Sequence, residues 1–402
     1  MSFCPISNFL PSMIPRTRMR VYPGLINDIV RTVLAEEVGK GAYLKPFAAK
    51  FAEFLGVKYA ILVPSDPVGM RILFAGLGLT AADEVIMPAY CSGFVSRIIG
   101  RKSCIPRFID VEAGSFNINP GLIEAAVTPR SKAVVASHMF GFPCDIEEIT
   151  RVARKNGLKV IEDCTHCPGA LLGNKQAGSF GDAAYFSLST DGSLNALGGG
   201  VIVTNDDGLA KSIQELAAKD LRGSPKFPSS LRFLRKAVCV LTRRLLVDRI
   251  LSGLGIPAPE KMERECARFT NLQALIGTKQ LAALDKYNSI SEKTAGRYNA
   301  GLKGFARPQR RDLPVRRVYH RYVVNCPGAE QDIDEIKKRA RQKGFDIGVR
   351  AEIAACPGQA GPAAGCFPVS SRLYDTNIQL PMFEGLRAAD CDAVINILSG
   401  AC

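Results

Sequence analysis

The sequence has no uninterrupted apolar run long enough to cross a bilayer, and it has no tryptophan. A membrane-spanning helix needs about 20 consecutive apolar residues, so an integral helical membrane protein is not expected. Residues 1–20 have no long apolar core preceded by basic residues, and a secretory signal is not predicted. Paired CxxC motifs are also missing, which argues against a zinc ribbon.

Disulfide-rich and fibrous classes are excluded by composition. The 13 cysteines in 402 residues are too sparse for a small secreted scaffold, and reduced thiols in the cytoplasm are expected. The apolar fraction of 47% is typical of a globular protein. A chain of this length predicts one large and one small domain.

Acidic residues are scarce relative to basic ones, and the net charge of +14 suggests an anionic partner. Half of this excess lies in one segment, where Asp248 is opposed by eight basic residues: Arg222, Lys226, Arg232, Arg235, Lys236, Arg243, Arg244 and Arg249. The spacing predicts an amphipathic helix over 231–251. Residues 229–254 could lie on anionic lipid at the inner face of the membrane; alternatively, the apolar side packs on its own domain or across a dimer. No nucleic-acid-binding module is recognised.

Short apolar runs alternate with segments of helical periodicity along the first half of the chain. The predicted strands are Tyr59–Val63, Glu84–Met87, Arg107–Asp110, Ala133–Ser137, Lys159–Ile161, Ala183–Leu188 and Gly200–Thr204. Such alternation predicts an α/β fold with a mostly parallel sheet flanked by helices. We expect an arm over 1–22, a large domain over 23–290 with a basic helical insertion at about 222–258, and a small α+β domain over 291–402. The boundary is expected near 289–304.

The stretch from Leu158 to Asn205 has the features of a ligand site. Its first strand is followed by the acidic pair Glu162 and Asp163, and its second strand brings Ser187 to a strand end. Ligands of α/β sheets collect at the carboxyl ends of strands, so both Asp163 and Ser187 are expected to face one.

Several collinear segments resemble the DegT/DnrJ/EryC1/StrS family of sugar aminotransferases. They are DEVIMPAY (83–90), the run over 108–149, VIEDCTHCPGA (160–170), GSFGDAAYFSL (178–188), ARFTNLQALIGTKQLAALD (267–285), VYHRYVV (318–324) and FPVSSRLYDTNIQLPMF (367–383). The resemblance implies the fold-type-I architecture of pyridoxal phosphate (PLP) enzymes and a role in nucleotide-sugar or polysaccharide biosynthesis. It also implies a dimer with the site at the subunit interface.

The resemblance assigns roles to particular positions. Asp163 matches the carboxylate that pairs with the pyridinium nitrogen, His166 falls where the family usually has a glutamine near the ring, and Ser187 matches a serine that contacts the phosphate. Ser65 belongs to the phosphate loop, and Tyr90 is a candidate for the aromatic residue that stacks on the ring. His320 and Asn271 are candidates for the substrate pocket, although a structural role for His320 stays open, as it does for His138.

Three departures fall where the chemistry should be. Gly192 occupies the position of the Schiff-base lysine, and no lysine lies between Lys175 and Lys211. Ser65-Asp66-Pro67 replaces a Ser-Gly-Thr turn, so a proline removes an amide donor and Asp66 places a negative charge where a dianion would bind. Ser92 stands at the position of the stacking aromatic residue.

These departures predict a pseudoenzyme: an aminotransferase-like subunit that binds a nucleotide sugar, forms a homodimer, or pairs with an active paralogue. The alternative is an enzyme that acts on a nucleotide-linked keto sugar with non-covalent PLP or with none, including a dehydration without a Schiff base. Cys164, His166 and Cys167 could suggest a metal or a reactive thiol, but buried structural residues are the favoured interpretation.

Overall fold

The computed structural model describes residues 13–18, 20, 22–35, 37, 41–91, 104–190, 192–220, 268–303, 307–308, 315–326, 332–350 and 367–399. Ser92 and the predicted amphipathic helix over 231–251 lie outside these residues.

Strands in the first part of the described chain form a seven-stranded sheet and a small hairpin. They are β1 (Tyr59–Val63), β2 (Glu84–Pro88), β3 (Ile105–Ile109), β4 (Ser131–Ser137), β5 (Lys159–Asp163), β6 (Leu171–Leu172), β7 (Lys175–Gln176), β8 (Ala183–Ser187) and β9 (Gly200–Thr204). The large sheet has the order β1-β9-β8-β5-β4-β2-β3. Neighbours from β3 through β8 run parallel, while β9 is antiparallel to both β8 and β1. The predicted α/β class with a mostly parallel sheet is confirmed.

The described residues also form α-helices, some of which pack against this sheet and some in the C-terminal part of the fold. In the described residues they are α1 (Leu25–Leu34), α2 (Leu44–Leu55), α3 (Asp66–Gly76), α4 (Ile123–Ala126), α5 (Ile146–Lys155), α6 (Asp207–Asp220), α7 (Asn271–Gly301), α8 (Ile333–Gln342), α9 (Pro368–Thr376) and α10 (Ala388–Ser399). Asp145 caps α5, because its side chain accepts a hydrogen bond from the Glu148 amide.

Alternate residues of the edge strand β1 pack into two different hydrophobic clusters. Ile61 and Val63 join a core cluster with α3, whereas Ala60 and Leu62 pack on the opposite side against a cluster that contains residues of α2. Successive side chains of a strand point to opposite faces, so a strand covered on both faces reads as continuously apolar even at the edge of a sheet.

The long helix α7 connects the two parts of the fold. It begins with a capping box formed by Thr270 and Gln273, and its last turns, including Ala295 and Tyr298, enter a second hydrophobic core. That core lies beside a four-stranded sheet with the order β10-β12-β14-β13, formed by β10 (Arg307–Pro308), β12 (Tyr322–Asn325), β13 (Gly348–Val349) and β14 (Asn377–Leu380). The short strand β11 (Val315–Arg316) instead pairs with β6. The domain boundary near 289–304 stays a prediction.

In the part of the chain that is described, no helix combines the length and the apolar character needed to cross a membrane.

Candidate functional site

Asp163 lies at the carboxyl end of β5, fixed by two neighbouring residues. Its Oδ1 accepts hydrogen bonds from the Thr165 amide (3.1 Å) and hydroxyl (2.6 Å), and its Oδ2 accepts one from the Ser137 hydroxyl (3.1 Å) at the end of the adjacent β4. The residue is only 5% exposed. A buried carboxylate must be hydrogen-bonded, and these three donors hold its orientation while acceptor capacity remains on Oδ2.

The preceding residue, Glu162, has a structural role. Its buried carboxylate accepts hydrogen bonds from the amides of Gly178, Phe180 and Gly181, and it contacts Nε2 of His138 at 3.0 Å. These bonds fix the loop between β7 and β8. The acidic pair is therefore divided between a loop anchor and a carboxylate held at the strand end.

The turn from β1 into α3 contains the predicted phosphate loop. Asp66 is the first residue of α3, and its carboxylate accepts hydrogen bonds from the Tyr185 hydroxyl (2.6 Å) and the Ser187 hydroxyl (2.9 Å). Ser65 precedes the helix, but its side chain makes no capping bond, and its Oγ is buried without a partner. The structure thus brings Ser65, Asp66 and Ser187 together, and a carboxylate of the chain itself already engages the Ser187 hydroxyl.

At this turn, a phosphate would find the Tyr185 and Ser187 hydroxyls already bonded to Asp66, and the Asp66 carboxylate would repel it. Two unit charges 4 Å apart repel by roughly 4 kcal/mol at an effective dielectric constant of about 20. Pro67, in the first turn of α3, removes one of the amides that such a group would use.

The loop after β8 is wound tightly around Gly192. The Gly192 amide donates to the Ser189 carbonyl at 3.1 Å, and a Cβ at this position would lie 3.2 Å from the carbonyl oxygens of both Ser189 and Leu194. These separations are tighter than most contacts of real Cβ atoms, so a longer side chain requires the loop to shift.

Next to this loop, the rings of Phe140, His166 and His320 form a stack. Phe140 and His166 are 6.0 Å apart with ring planes at 9°, and His166 and His320 are 4.6 Å apart at 19°. His320 Nδ1 lies 3.0 Å from the hydroxyl of Ser193, which follows Gly192. Burial, together with the positive charges of His166, Arg321 and Arg20, holds the pKa of His320 well below its usual value. Through Ser193, the loop that contains Gly192 therefore contacts a neutral imidazole.

Arg20, in the N-terminal arm, reaches the same loop. Its guanidinium donates to the Ser193 carbonyl at 2.6 Å and to the Ser291 hydroxyl at 3.4 Å, and it lies over the ring of Tyr287. Burial lowers the pKa of Arg20 to about 10, partly offset by Tyr287 and Glu384. Arg20 thereby brings a half-buried cation to the site, which no motif in the sequence indicated.

Two of the predicted site residues have other surroundings. Tyr90 is fully buried, with its ring edge-on to Phe116 (5.2 Å) and Phe140 (6.2 Å), so it packs in the core instead of lining an open surface. Asn271 begins α7 and accepts a hydrogen bond from the Tyr43 amide at 2.9 Å, while its buried Nδ2 has no partner. Their roles toward a cofactor and a substrate stay predictions.

The cysteines near Asp163 are arranged differently from the predicted set. Ligand atoms of His138, Cys164 and Cys167 lie within 4.8 Å of one another, with His138 in place of His166. However, Nε2 of His138 bonds with Glu162 and Nδ1 accepts from the Cys144 amide, so neither nitrogen is available to a metal. Burial raises the pKa of the Cys164 thiol well above its usual value, which disfavours a reactive thiolate. A buried structural cluster is the interpretation that fits.

Sequence reasoning missed Tyr185, Ser137 and Arg20. A signal existed for Tyr185, because residues two apart in a strand share a face and Tyr185 therefore accompanies Ser187. Ser137 follows from the same logic, since it ends the strand beside Asp163. No signal in the sequence pointed to Arg20.

Comparison with known proteins agrees with this fold. The chain is 27% identical to the spore coat polysaccharide biosynthesis protein SpsC of Bacillus subtilis over 409 residues, which cover 98% of each chain. It is 28% identical to GDP-perosamine synthase of Caulobacter vibrioides over 363 residues, or 89% of this chain and 90% of that protein.

Solved structures give the same result at the level of the fold. DesV of S. venezuelae, in complex with a ketimine intermediate, superposes with a TM-score of 0.78 and 21% identity over 97% of this chain and 98% of DesV. An aminotransferase from Brucella abortus superposes with a TM-score of 0.74 and 21% identity over 94% of each chain. The profile of the DegT/DnrJ/EryC1/StrS aminotransferase family matches residues 25–399. The chain therefore belongs to the DegT/DnrJ/EryC1/StrS aminotransferase family.

Proposed function

We propose that this protein is a catalytically degenerate member of its family that acts in nucleotide-sugar or polysaccharide biosynthesis as a sugar-binding or partner subunit. The observation that carries the proposal is Gly192. A PLP-dependent transaminase needs a lysine amine to hold the cofactor aldehyde and to move a proton between carbon atoms. At Gly192 the amine is absent, and the loop is closed tightly around the missing side chain.

The residues at the former cofactor site do not fit PLP. Asp66 occupies the Ser187 and Tyr185 hydroxyls with a negative charge, and Pro67 removes an amide. Because anchor and phosphate contacts are altered together, no catalytic step through the cofactor is derived for this chain.

The side chains beside the Gly192 loop are suited to binding a ligand without catalysis. The relatives include a GDP-perosamine synthase and a dTDP-3-amino-3,4,6-trideoxy-alpha-D-glucose transaminase, and a nucleotide-linked sugar is the proposed ligand class. Arg20, His166 and His320 offer a cation and stacked imidazole rings beside the Gly192 loop. Proposed partners are a second copy of this chain or an active paralogue whose pocket it helps to form.

The test is exposure of the purified protein to PLP, followed by a visible spectrum, borohydride reduction and intact mass measurement. Excess PLP is removed before reduction, because free PLP forms reducible imines with surface lysines. We expect no stoichiometric mass increase, and one PLP per chain on a single lysine would contradict the proposal. Co-purification with an active paralogue, and saturable binding of GDP- or dTDP-linked sugars by calorimetry, then separate the partner role from the sugar-binding role.

A second candidate is an enzyme that acts on a nucleotide-linked keto sugar with non-covalent PLP or with none. The observation in its favour is Asp163, which still has its supporting bonds from Ser137 and Thr165. Such an enzyme would give either a PLP spectrum that disappears on dialysis, without a covalent adduct, or turnover of a keto sugar. The absence of both results would exclude it.

A further inference from the structure

We infer that the Asp66 carboxylate is a built-in substitute for a phosphate group, which fills the anion cradle at the start of α3 and closes it to phosphate esters. This inference rests on the proposed function, in which no cofactor phosphate enters the site. It adds a specific role: Asp66 acts as a resident anion and determines which ligands the site rejects.

The first support is the set of donors that Asp66 engages. Its two carboxylate oxygens are divided between Tyr185 (2.6 Å to Oδ1) and Ser187 (2.9 Å to Oδ2), two hydroxyls on the same face of β8. The shorter bond, from Tyr185, has the length of a strong, charge-assisted O–H···O⁻ bond. The carboxylate also lies in the first turn of an 11-residue helix, where the helix dipole favours an anion.

The second support is independent and comes from Ser65. This residue precedes α3 and is only 2% exposed, yet its Oγ has no hydrogen-bond partner and does not cap the helix. A buried hydroxyl without a partner is unfavourable unless a ligand satisfies it. A carboxylate has two oxygens, whereas a phosphate has three free oxygens. A carboxylate that replaces a phosphate therefore leaves one hydroxyl of the cradle without an acceptor, and we assign the Ser65 hydroxyl to this position.

Two glycines leave the space that the Tyr185 side chain occupies. A Cβ at Gly69 would lie 2.6 Å from the Tyr185 ring, and a Cβ at Gly200 would overlap its hydroxyl. Glycine at both positions therefore allows Tyr185 to reach Asp66. The pair of Tyr185 and Asp66 forms a closed contact between α3 and β8 in place of an opening for a ligand.

The experiment replaces Asp66 in the full-length chain and measures binding of inorganic phosphate by calorimetry, at constant ionic strength. Asp66→Gly removes the carboxylate, and Asp66→Ser does so with a residue that suits a helix start. The matched control is Asp207→Gly, because Asp207 also begins a helix, α6, and also accepts a hydrogen bond from a tyrosine hydroxyl (Tyr59, 3.1 Å), but on the exposed surface.

We expect no saturable phosphate binding by the unaltered protein or by Asp207→Gly. Asp66→Gly and Asp66→Ser should bind phosphate saturably, with a Kd at least about tenfold below the highest phosphate concentration tested on the unaltered protein, and a further Ser187→Ala change should abolish that binding. If either Asp66 variant is unfolded alone, phosphate should restore its folded circular dichroism spectrum.

Equal phosphate binding by the unaltered protein, or Asp66 variants that neither bind phosphate nor refold with it, would overturn the inference. These outcomes are distinct from failure of the proposed function. A covalent PLP adduct on the unaltered protein would refute the proposed function, whereas phosphate titration of the variants involves no lysine.

Discussion

At the scale of single residues, two positions carry most of the proposal that this chain is not a working transaminase. Gly192 stands where the family resemblance places the Schiff-base lysine, and the Asp66 carboxylate accepts hydrogen bonds from the hydroxyls of Tyr185 and Ser187. Either change alone would weaken cofactor binding. Because both positions differ, we expect that a lysine at position 192 alone does not restore PLP binding.

Gly192→Lys alone should therefore give no PLP adduct. The new side chain would start 3.2 Å from two carbonyl oxygens, and Asp66 would still repel the phosphate. The triple variant Asp66→Gly, Pro67→Thr, Gly192→Lys should form an adduct that borohydride fixes and mass spectrometry detects. Gly192→Ala is the control for the steric effect, and an adduct on the single lysine variant would contradict the role assigned to Asp66.

His320 should make the protein less stable in mild acid. Its pKa is held well below 6.5 in the folded state by burial and by His166, Arg321 and Arg20, whereas the unfolded chain takes up a proton near pH 6.5. Stability from this group is therefore present above about pH 6.5 and is lost as the pH falls, by at most about 1.4 kcal/mol per pH unit.

Urea unfolding between pH 7 and 5 measures this effect. His320→Gln removes the titrating ring and should give a shallower loss of unfolding free energy. Ser193→Ala removes only the hydrogen-bond partner and should keep the full slope. Equal slopes in all three proteins would argue against His320 as the source.

At the scale of elements, an aspartate at the start of each of two helices, α3 and α9, links that helix to the large sheet. Asp66 starts α3 and bonds β8, whereas Asp110, which follows β3, serves α9 from a distance of 259 residues along the chain. Its carboxylate accepts hydrogen bonds from the amides of Val369 and Ser370, both at 2.8 Å, and from the Ser370 hydroxyl. The edge of the large sheet is thus fastened to the C-terminal part.

Asp110→Asn should lower the free energy of unfolding by about 1–2 kcal/mol, because it removes a charged acceptor from a helix N-terminus. Asp332→Asn is the matched control. Asp332 precedes α8, but its side chain makes no capping bond, so a change of less than about 0.5 kcal/mol is expected. Denaturant titration compares the two, and similar losses would show that the contact with α9 contributes little.

At the scale of the whole molecule, the net charge of +14 and the helix α7 are the dominant features. α7 carries residues of the first core at its beginning and of the second core at its end, so the two parts are packed around one continuous element. Half of the charge excess falls between Arg222 and Arg249, outside the described residues.

The segment 229–254 should bind anionic lipid if its basic residues face solvent. We expect the full-length protein to sediment with vesicles that contain phosphatidylserine, less strongly at high salt, and not with neutral vesicles. Deletion of 229–254 should abolish sedimentation. A deletion variant that still sediments, or an intact protein that does not, would favour internal packing of the segment.

Much of the large sheet could be predicted from local pattern. The bounds of β1 and β9 agree with the predictions, and the other strands agree to within a few residues, because buried strands between turn residues have a strong periodic signal. Helix ends have a weaker local signal: residues 120–126 form a 3₁₀ turn followed by the short helix α4, and no single regular helix. For the candidate site, local pattern indicated individual strand ends, such as Asp163 on β5 and Ser187 on β8, and their roles toward a ligand stay predictions.

The sequence by itself determined the fold class, the family and the absence of a lysine between Lys175 and Lys211, because each can be read from residues close together along the chain. Only the tertiary structure decided which side chains contact Ser187 and the loop that contains Gly192. Asp66 and Ser187 are 121 residues apart, Arg20 and Ser193 are 173 apart, and His166 meets His320 across two parts of the fold. Such contacts depend on which strands and loops become neighbours in the fold. The local sequence pattern does not predict these neighbours.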